Sequence, residues 1–251
     1  MSVEHAPRGG SDGSINHTRT SPPLSFRWNE GGIRSHQRAG HTFRLYAYGA
    51  LEGVPDGVEL VDAATVLPPQ RIFRSSNGAV GDFANLFKYY ALADFGGCWT
   101  EMDEVCLRPW TELGTFISSE ADESGGVHID QAAISIEAGH VLLTSLIAEC
   151  EVQLSALRGA PFMWGTFGVG QFARAVKAHG HGLEARVVPP GVFCPLPWWQ
   201  AVTIWRPEAQ VEIPYGAHGI QLWNEAWRRE GWDKERAPAG SLYAKLCDAL
   251  G

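Results

Sequence analysis

The chain has 251 residues, 45% of them hydrophobic and 19% charged, which suits one sizeable α/β core. Its net charge of −8 and pI near 5.6 exclude the basic footprint of a nucleic-acid binder. Five scattered cysteines without a C-x-x-C pair argue against a disulfide framework or structural zinc. With no apolar run near the ~18–20 residues that cross a bilayer, and no apolar signal core at the start, the expectation is a cytoplasmic protein without a transmembrane segment.

Met1 to Pro23 is polar, rich in Gly, Ser and Thr, and without period, so a disordered lead is expected, with a short strand hidden at Ser14–Arg19. From residue 24 to 251 no composition shift or repeat marks a boundary, and a single domain is expected. A helix over Asn29–Arg38 should close at Gly40. Phe43–Tyr48 alternates and is aromatic, hence a strand, and Gly57–Val61 is a second. Asp82 opens a helix to Asp94 with Phe83, Leu86, Phe87, Tyr90 and Ala91 on one stripe. Gly96-Gly97 ends that helix and turns the chain into a short acidic strand.

Beyond it, Thr115–Ser118 reads as a strand and Glu120–Gly126 as an exposed loop. Ile129–Ile136 and Val141–Leu157 read as a strand and a long helix, and Gly165–Gly170 leads into a helix over Gln171–His179. Arg186–Val188 is expected as a strand and Val192–Trp199 as a proline- and aromatic-rich loop. Gly219–Trp223 is a last strand, followed by Glu225–Arg229 and a basic, proline-containing tail. Strands and helices alternate, which implies a mostly parallel mixed sheet flanked by helices.

The acidic triplet Glu101-Met102-Asp103 is the most informative local feature. On an extended segment residues 101 and 103 face the same way, offering two hard carboxylate ligands to Mg²⁺ or Mn²⁺. Read alone, Glu101, Asp103 and Glu104 form a solvated acidic turn more readily than a metal site. The ten tryptophans point first to core packing, although indoles also stack on sugars and bases. Gly165-Thr-Phe-Gly168-Val-Gly170 has the glycines of a phosphate loop but not its Lys-Ser/Thr ending.

Gly96-Gly-Cys-Trp-Thr-Glu101-Met-Asp103-Glu-Val-Cys-Leu-Arg-Pro109 resembles the Gly-Gly-x-x-x-Asp-x-Asp block of bacterial glycosyltransferases of the sugar-binding DXD group, family 32. Phe83-Ala-Asn85-Leu-Phe-Lys88-Tyr is similar to that group's Phe-Ser-Asp-x-x-Arg-Tyr helix, and Gly219-Ile-Gln-Leu-Trp223-Asn-Glu-Ala-Trp227-Arg to its C-terminal His-Leu-Trp-Asn-x-x-Trp-Arg segment. Phe193-Cys-Pro-Leu-Pro-Trp-Trp199 also agrees. The likeness runs from about Ile33 to the end. It differs at four places: Glu101 for Asp, Asn85 for Asp, Lys88 for Arg and Gln221 for His.

The resemblance implies a GT-A fold, a Mn²⁺ or Mg²⁺ ion, and retaining transfer of a hexose from a nucleotide-diphosphate sugar, expected to be uridine-based, to an acceptor hydroxyl or amine. It places Glu101, Asp103, Gln221 and His218 at the metal, and Asn85, Lys88, Glu101, Asp103 and Trp223 at the donor. Asp130 and Gln131 fall near the reacting carbon; Thr166, Gly168 and Trp199 fall near the acceptor. The four substitutions leave room for a nucleotide-sugar or glycan-binding protein with reduced catalysis, or for a tailoring enzyme of secondary metabolism.

Overall fold

The computed structural model describes residues 15–19, 27–51, 53–180, 182–232 and 236–250. In chain order the elements are β1 (Ile15–Arg19), α1 (Arg27–Arg38), β2 (Phe43–Ala47), β3 (Val58–Asp62), α2 (Gly81–Phe95), β4 (Gly97–Thr100) and β5 (Glu104–Cys106). Then follow β6 (Phe116–Ala121), β7 (Val127–Ile136), α3 (Val141–Leu157), α4 (Val169–His179), β8 (Gly219–Gln221), α5 (Asn224–Glu230) and α6 (Leu242–Leu250). Short 3₁₀ turns connect several of them.

Six strands form one sheet in the order β3-β2-β1-β4-β7-β6, and β5 with β8 forms a separate two-stranded ribbon. Strands β3, β2, β1 and β4 are mutually parallel, whereas β7 runs antiparallel to both β4 and β6. The chain leaves β1 toward β2 and β3, then returns to β4 on the other side of β1. The carboxyl ends of β1 and β4 therefore border a topological switch point, where open α/β sheets bind their ligands.

Alternation along the strands divides the core. Trp99, Ile117 and Ile134 face α2, α3 and α4, packing on Leu86, Phe87, Leu142 and Phe172. Their neighbours Cys98, Phe116 and Ala133 face the other way, onto Ile33, Trp110 and Phe193. A third cluster, around Ile204, Trp227 and Tyr243, seats α5 and α6 beneath the β5–β8 ribbon. Trp99, Trp110 and Trp227 are core residues, while Trp164 and Trp198 remain half exposed.

Two glycines make the turn from α2 into β4. Gly96 and Gly97 both have positive φ, and a Cβ on Gly96 would lie 2.5 Å from the Ala138 nitrogen. A second close approach is at Gly32 of α1, where a Cβ would meet the Met102 carbonyl oxygen at 2.7 Å. Helix α1 thus presses directly on the segment after β4.

The hidden strand at the end of the polar lead forms, as β1, in the middle of the sheet; the rest of that lead lies outside the described residues. Three expectations are corrected. The segment Arg186–Val188 is not a strand: Leu183–Arg186 is a 3₁₀ turn and Val187 makes a single bridge to Ile117. Strand β6 extends through Glu120 and Ala121, so the exposed loop shrinks to the hairpin turn after it. The C-terminal tail contains α6, whose Tyr243 is buried against Trp205 and Trp227.

Candidate functional site

Strand β4 ends at Thr100, and residues 102–103 form a turn before β5. The Glu104 amide donates to the Glu101 carbonyl at 3.2 Å. Glu101 and Asp103 therefore do not share one face of a strand, as their alternation implied; a turn separates them, because the chain must leave the sheet to pair with β8. Both still sit just past the carboxyl end of β4, at the switch point.

On the α2 side of this turn, Lys88 is 1% exposed. Its Nζ donates to Glu101 Oε1 at 2.7 Å and to the Gln131 carbonyl at 3.1 Å, and lies 6.0 Å from the Trp99 ring. Antiparallel pairing of β7 with β4 brings Gln131 here: the Glu101 amide donates to the Ala132 carbonyl. Tyr89 donates its hydroxyl proton to Gln131 Oε1 at 2.9 Å, and its oxygen is also 3.2 Å from the Phe167 carbonyl. Burial holds the Tyr89 pKa well above the ordinary phenol value, so it remains a donor.

On the other side, Asp103 Oδ2 accepts the Asn224 amide at 2.8 Å, and the ribbon pairs Glu104 with Gln221. The Gln221 carboxamide has two orientations. In one, its NH₂ reaches Asp103 Oδ1 at 3.4 Å, a long contact, while its oxygen faces acceptors. Turned over, the NH₂ donates to the Asp103 carbonyl oxygen and to Glu104 Oε2, both at 3.1 Å. Hydrogen bonding selects the second orientation, since a proton on Glu104 would relieve only one of the two clashes in the first.

The amide oxygen then occupies the position 3.4 Å from Asp103 Oδ1. In that orientation the oxygen faces hydrogen-bond donors, which satisfy it. Asp103 supplies a carboxylate of the kind that holds Mg²⁺ or Mn²⁺ together with substrate phosphates, and Gln221 lies beside it. Among the described residues no three His, Cys, Asp or Glu side chains group as a metal cage.

The remaining expected residues divide into near and far. Asn85 lies one turn before Lys88 on the same face of α2 and is partly buried. Trp223 adopts a left-handed conformation, φ 54°, and donates Nε1–H to the Leu196 carbonyl at 2.7 Å. Asp130 stands behind Gln131, with Oδ2 accepting from Ala132 N at 2.8 Å and Ser118 Oγ at 3.1 Å. Thr166 bonds the Met163 carbonyl and Gly168 precedes α4, in a loop that Phe167 ties to Tyr89. Trp199 is half-buried and edge-on to Trp198 in the 3₁₀ turn Trp198–Trp205.

His218 does not join Asp103. The ribbon sets Asp103 beside Leu222 and Leu107 beside His218, four positions apart, or about 13 Å of strand. Its Nδ1 lies 3.2 Å from the Pro109 carbonyl instead.

Two residues escaped sequence reasoning. Glu104 is fully buried, with Oε1 unpartnered; burial first, then Asp103, Asp130 and Glu101, push its pKa well above the carboxylate range. Asp82, also buried, accepts the Gly165 amide at 2.9 Å and the Phe167 amide at 2.7 Å, fixing the loop before α4. No spacing signal marks Glu104, because its partner Gln221 is 117 positions later. Asp82 carried only its helix-opening signal.

No family model matches the sequence, and no curated protein matches it. Among solved structures the chain is similar to the PaToxG glycosyltransferase, at 10% identity over 69% of this chain and 72% of that one, with a TM-score of 0.50. It is also similar to the apo form of the glycosyltransferase GlyE of Streptococcus pneumoniae TIGR4, at 13% identity over 94% of this chain and 62% of that chain, with a TM-score of 0.35. The first likeness, together with the mixed sheet, defines the architecture: a GT-A-like α/β glycosyltransferase fold.

Proposed function

We propose that the protein is a retaining glycosyltransferase that moves a hexose from a nucleotide-diphosphate sugar, uridine-based in first expectation, to an acceptor hydroxyl or amine. One observation carries this reading. Beyond the carboxyl end of β4, on a glycosyltransferase fold, Lys88 flanks the turn on one side and Asp103, with Gln221 beside it, lies on the other.

Cleaving an anomeric carbon from a diphosphate leaves negative charge on the departing group. Asp103, with Gln221 beside it, would hold the divalent ion, which as a Lewis acid stabilises that charge. Lys88 supplies a fixed positive point charge, already desolvated and held by the Gln131 carbonyl. To use it on a phosphate, the protein must loosen the Lys88–Glu101 pair, so donor binding and release of Glu101 are one event. Asn85, on the same face of α2, offers amide hydrogen bonds to the donor sugar. Gln131, locked by Tyr89, lines the path of the reacting carbon, with Asp130 bracing it from behind. The Asp82-anchored loop carrying Thr166 and Gly168 forms the acceptor rim.

A thermal-shift screen of uridine, guanosine and thymidine diphosphate sugars, with and without Mn²⁺, tests the reading, because a ligand of the native state raises its stability by mass action. A manganese-dependent rise for one base, followed by sugar release to an acceptor, is expected. No shift with any donor sinks the proposal. A shift that ignores EDTA, without turnover, supports a binding protein on the same fold, as the closed Lys88–Glu101 pair would favour.

A further inference from the structure

Helix α4 opens without a cap. Gly168 before it has no side chain, the first turn carries no acidic residue, and nothing among the described residues accepts from the Val169 and Gly170 amides. Both residues are exposed. The charge at this end is positive: a Cβ on Gly170 would lie 3.8 Å from Arg174 Nη1, so that exposed guanidinium folds back one turn over the helix start. Among the described residues it makes no ion pair or hydrogen bond, on a chain whose net charge is −8. The helix dipole favours an anion at this end, and none is supplied. One residue further in, Gln171 is 1% exposed, and neither its side-chain oxygen nor its nitrogen has a partner. The Cα–Cβ bonds of a helix lean toward its N-terminus, so this carboxamide is carried to the same end.

We propose that the acceptor carries a phosphoryl group, bound at the start of α4 by the Val169 and Gly170 amides, the Arg174 guanidinium and the Gln171 carboxamide. The inference rests on the glycosyltransferase reading given above and names the class of its acceptor. The acceptor rim of that reading leads straight into this helix, and it is held firmly. Asp82 takes the Gly165 and Phe167 amides, and the Gly168 amide donates to the Gly165 carbonyl at 3.1 Å. Free N–H groups at a helix start point at an anion, and the dipole adds to the attraction. A guanidinium charge on top of that dipole suits a dianion better than a single carboxylate. With no side chain, Gly170 leaves the space between the amides and Arg174 open. Gln171 is covered in the free chain and joins once the ligand shifts a neighbouring side chain. An apolar residue at 171 would fill the same space without unbonded polar atoms, so stability alone does not account for the glutamine.

The probe is inorganic phosphate at constant ionic strength, with acetate for comparison, followed by amide chemical shifts in nuclear magnetic resonance. Phosphate is expected to move the Val169 and Gly170 amides, and acetate to bind about tenfold more weakly. Arg174→Met, at an exposed position, weakens phosphate binding about tenfold. Gln171→Leu weakens it about threefold or more without lowering Tm, which a purely structural glutamine would not do. Gly170→Asp gives the helix the carboxylate it lacks, so Tm rises while phosphate binding is lost. Unmoved Val169 and Gly170 amides, or parent-like binding by Arg174→Met, overturns the proposal. Acetate binding as tightly as phosphate overturns the phosphoryl assignment, and displacement of phosphate by uridine diphosphate gives the site to the donor instead. Nucleotide-sugar binding without a phosphate response at α4 sinks this inference alone. The reverse pattern, phosphate at α4 and no nucleotide sugar bound, overturns the transferase reading on which it rests.

Discussion

Lys88 Nζ and Glu101 Oε1 lie 2.7 Å apart, with the lysine side chain 1% exposed and the glutamate 36% exposed. The pair is therefore asymmetric, and so is its energetics. Removing the lysine leaves a carboxylate that water can reach; removing the glutamate strands an ammonium whose remaining hydrogen-bond partner is the Gln131 carbonyl. Glu101→Ala is expected to cost about 2–3 kcal/mol in urea unfolding, and Lys88→Met about 1 kcal/mol. If Lys88→Met proves the more damaging, the buried charge is not held as described. The same Lys88→Met protein should lose nucleotide-sugar binding even though it is the more stable variant.

Asp82 spends both carboxylate oxygens on backbone amides of the loop before α4. Asp82→Ala leaves two N–H groups without their charged acceptor, a loss of about 2–4 kcal/mol by urea denaturation. Hydrogen exchange should locate it: the Gly165 and Phe167 amides lose protection ahead of those in α3. Unchanged exchange at those two amides would show that the loop is held by something else.

Gly219 has no positive φ, so its requirement is steric. A Cβ there would meet Glu104 Oε1 at 2.0 Å and Phe193 Cδ1 at 3.0 Å. Gly219→Ala should destabilise by about 1–3 kcal/mol through overpacking. Shortening the opposing side chain, in Gly219→Ala/Glu104→Ala, should recover part of that loss relative to the sum of the single variants. Simple additivity in calorimetry would remove the contact from consideration.

The buried His36 and the half-buried Glu120 give opposite pH dependence. His36 sits among His41, Phe43 and Trp110 with Nδ1 on the Gly32 carbonyl, and burial, against that hydrogen bond and with a smaller effect of His41, lowers its pKa from 6.5 to about 3. Between those values the unfolded chain binds a proton that the folded chain refuses, so stability falls as pH drops through this window. Glu120 is raised from 4.5 to about 7 by burial and by Asp130, with His128 opposing. There the folded chain holds the proton, so its contribution is present at low pH and is lost as pH rises from about 4.5 to 7.

Each group contributes about 1.4 kcal/mol per pH unit at most, and the two slopes cancel between about pH 4.5 and 6.5. Relative to the parent, His36→Gln should gain stability as pH falls through that interval, and Glu120→Gln should gain as pH rises through it. Parallel stability–pH curves for parent and variants would contradict both assignments.

Much of the frame was readable in the residues themselves. Alternating aromatics made β2, the Phe83 stripe made α2, the boundaries of α3 matched their apolar run, and Gly96-Gly97 announced the turn into β4. These features follow from side-chain period and backbone freedom, which act over a few residues. The likeness of Asn85, Lys88, Glu101 and Asp103 to a glycosyltransferase block pointed to the right edge of the sheet for the same reason: they lie within 19 positions of one another. What local pattern could not decide was direction. Whether Glu101 faces a cation or Lys88 depends on α2 packing against β4, and the separation of His218 from Asp103 depends on the register of a ribbon joining segments more than a hundred residues apart. The burial of Glu104, read locally as one member of a solvated acidic turn, likewise exists only once β8 closes over β5 with a glycine opposite it.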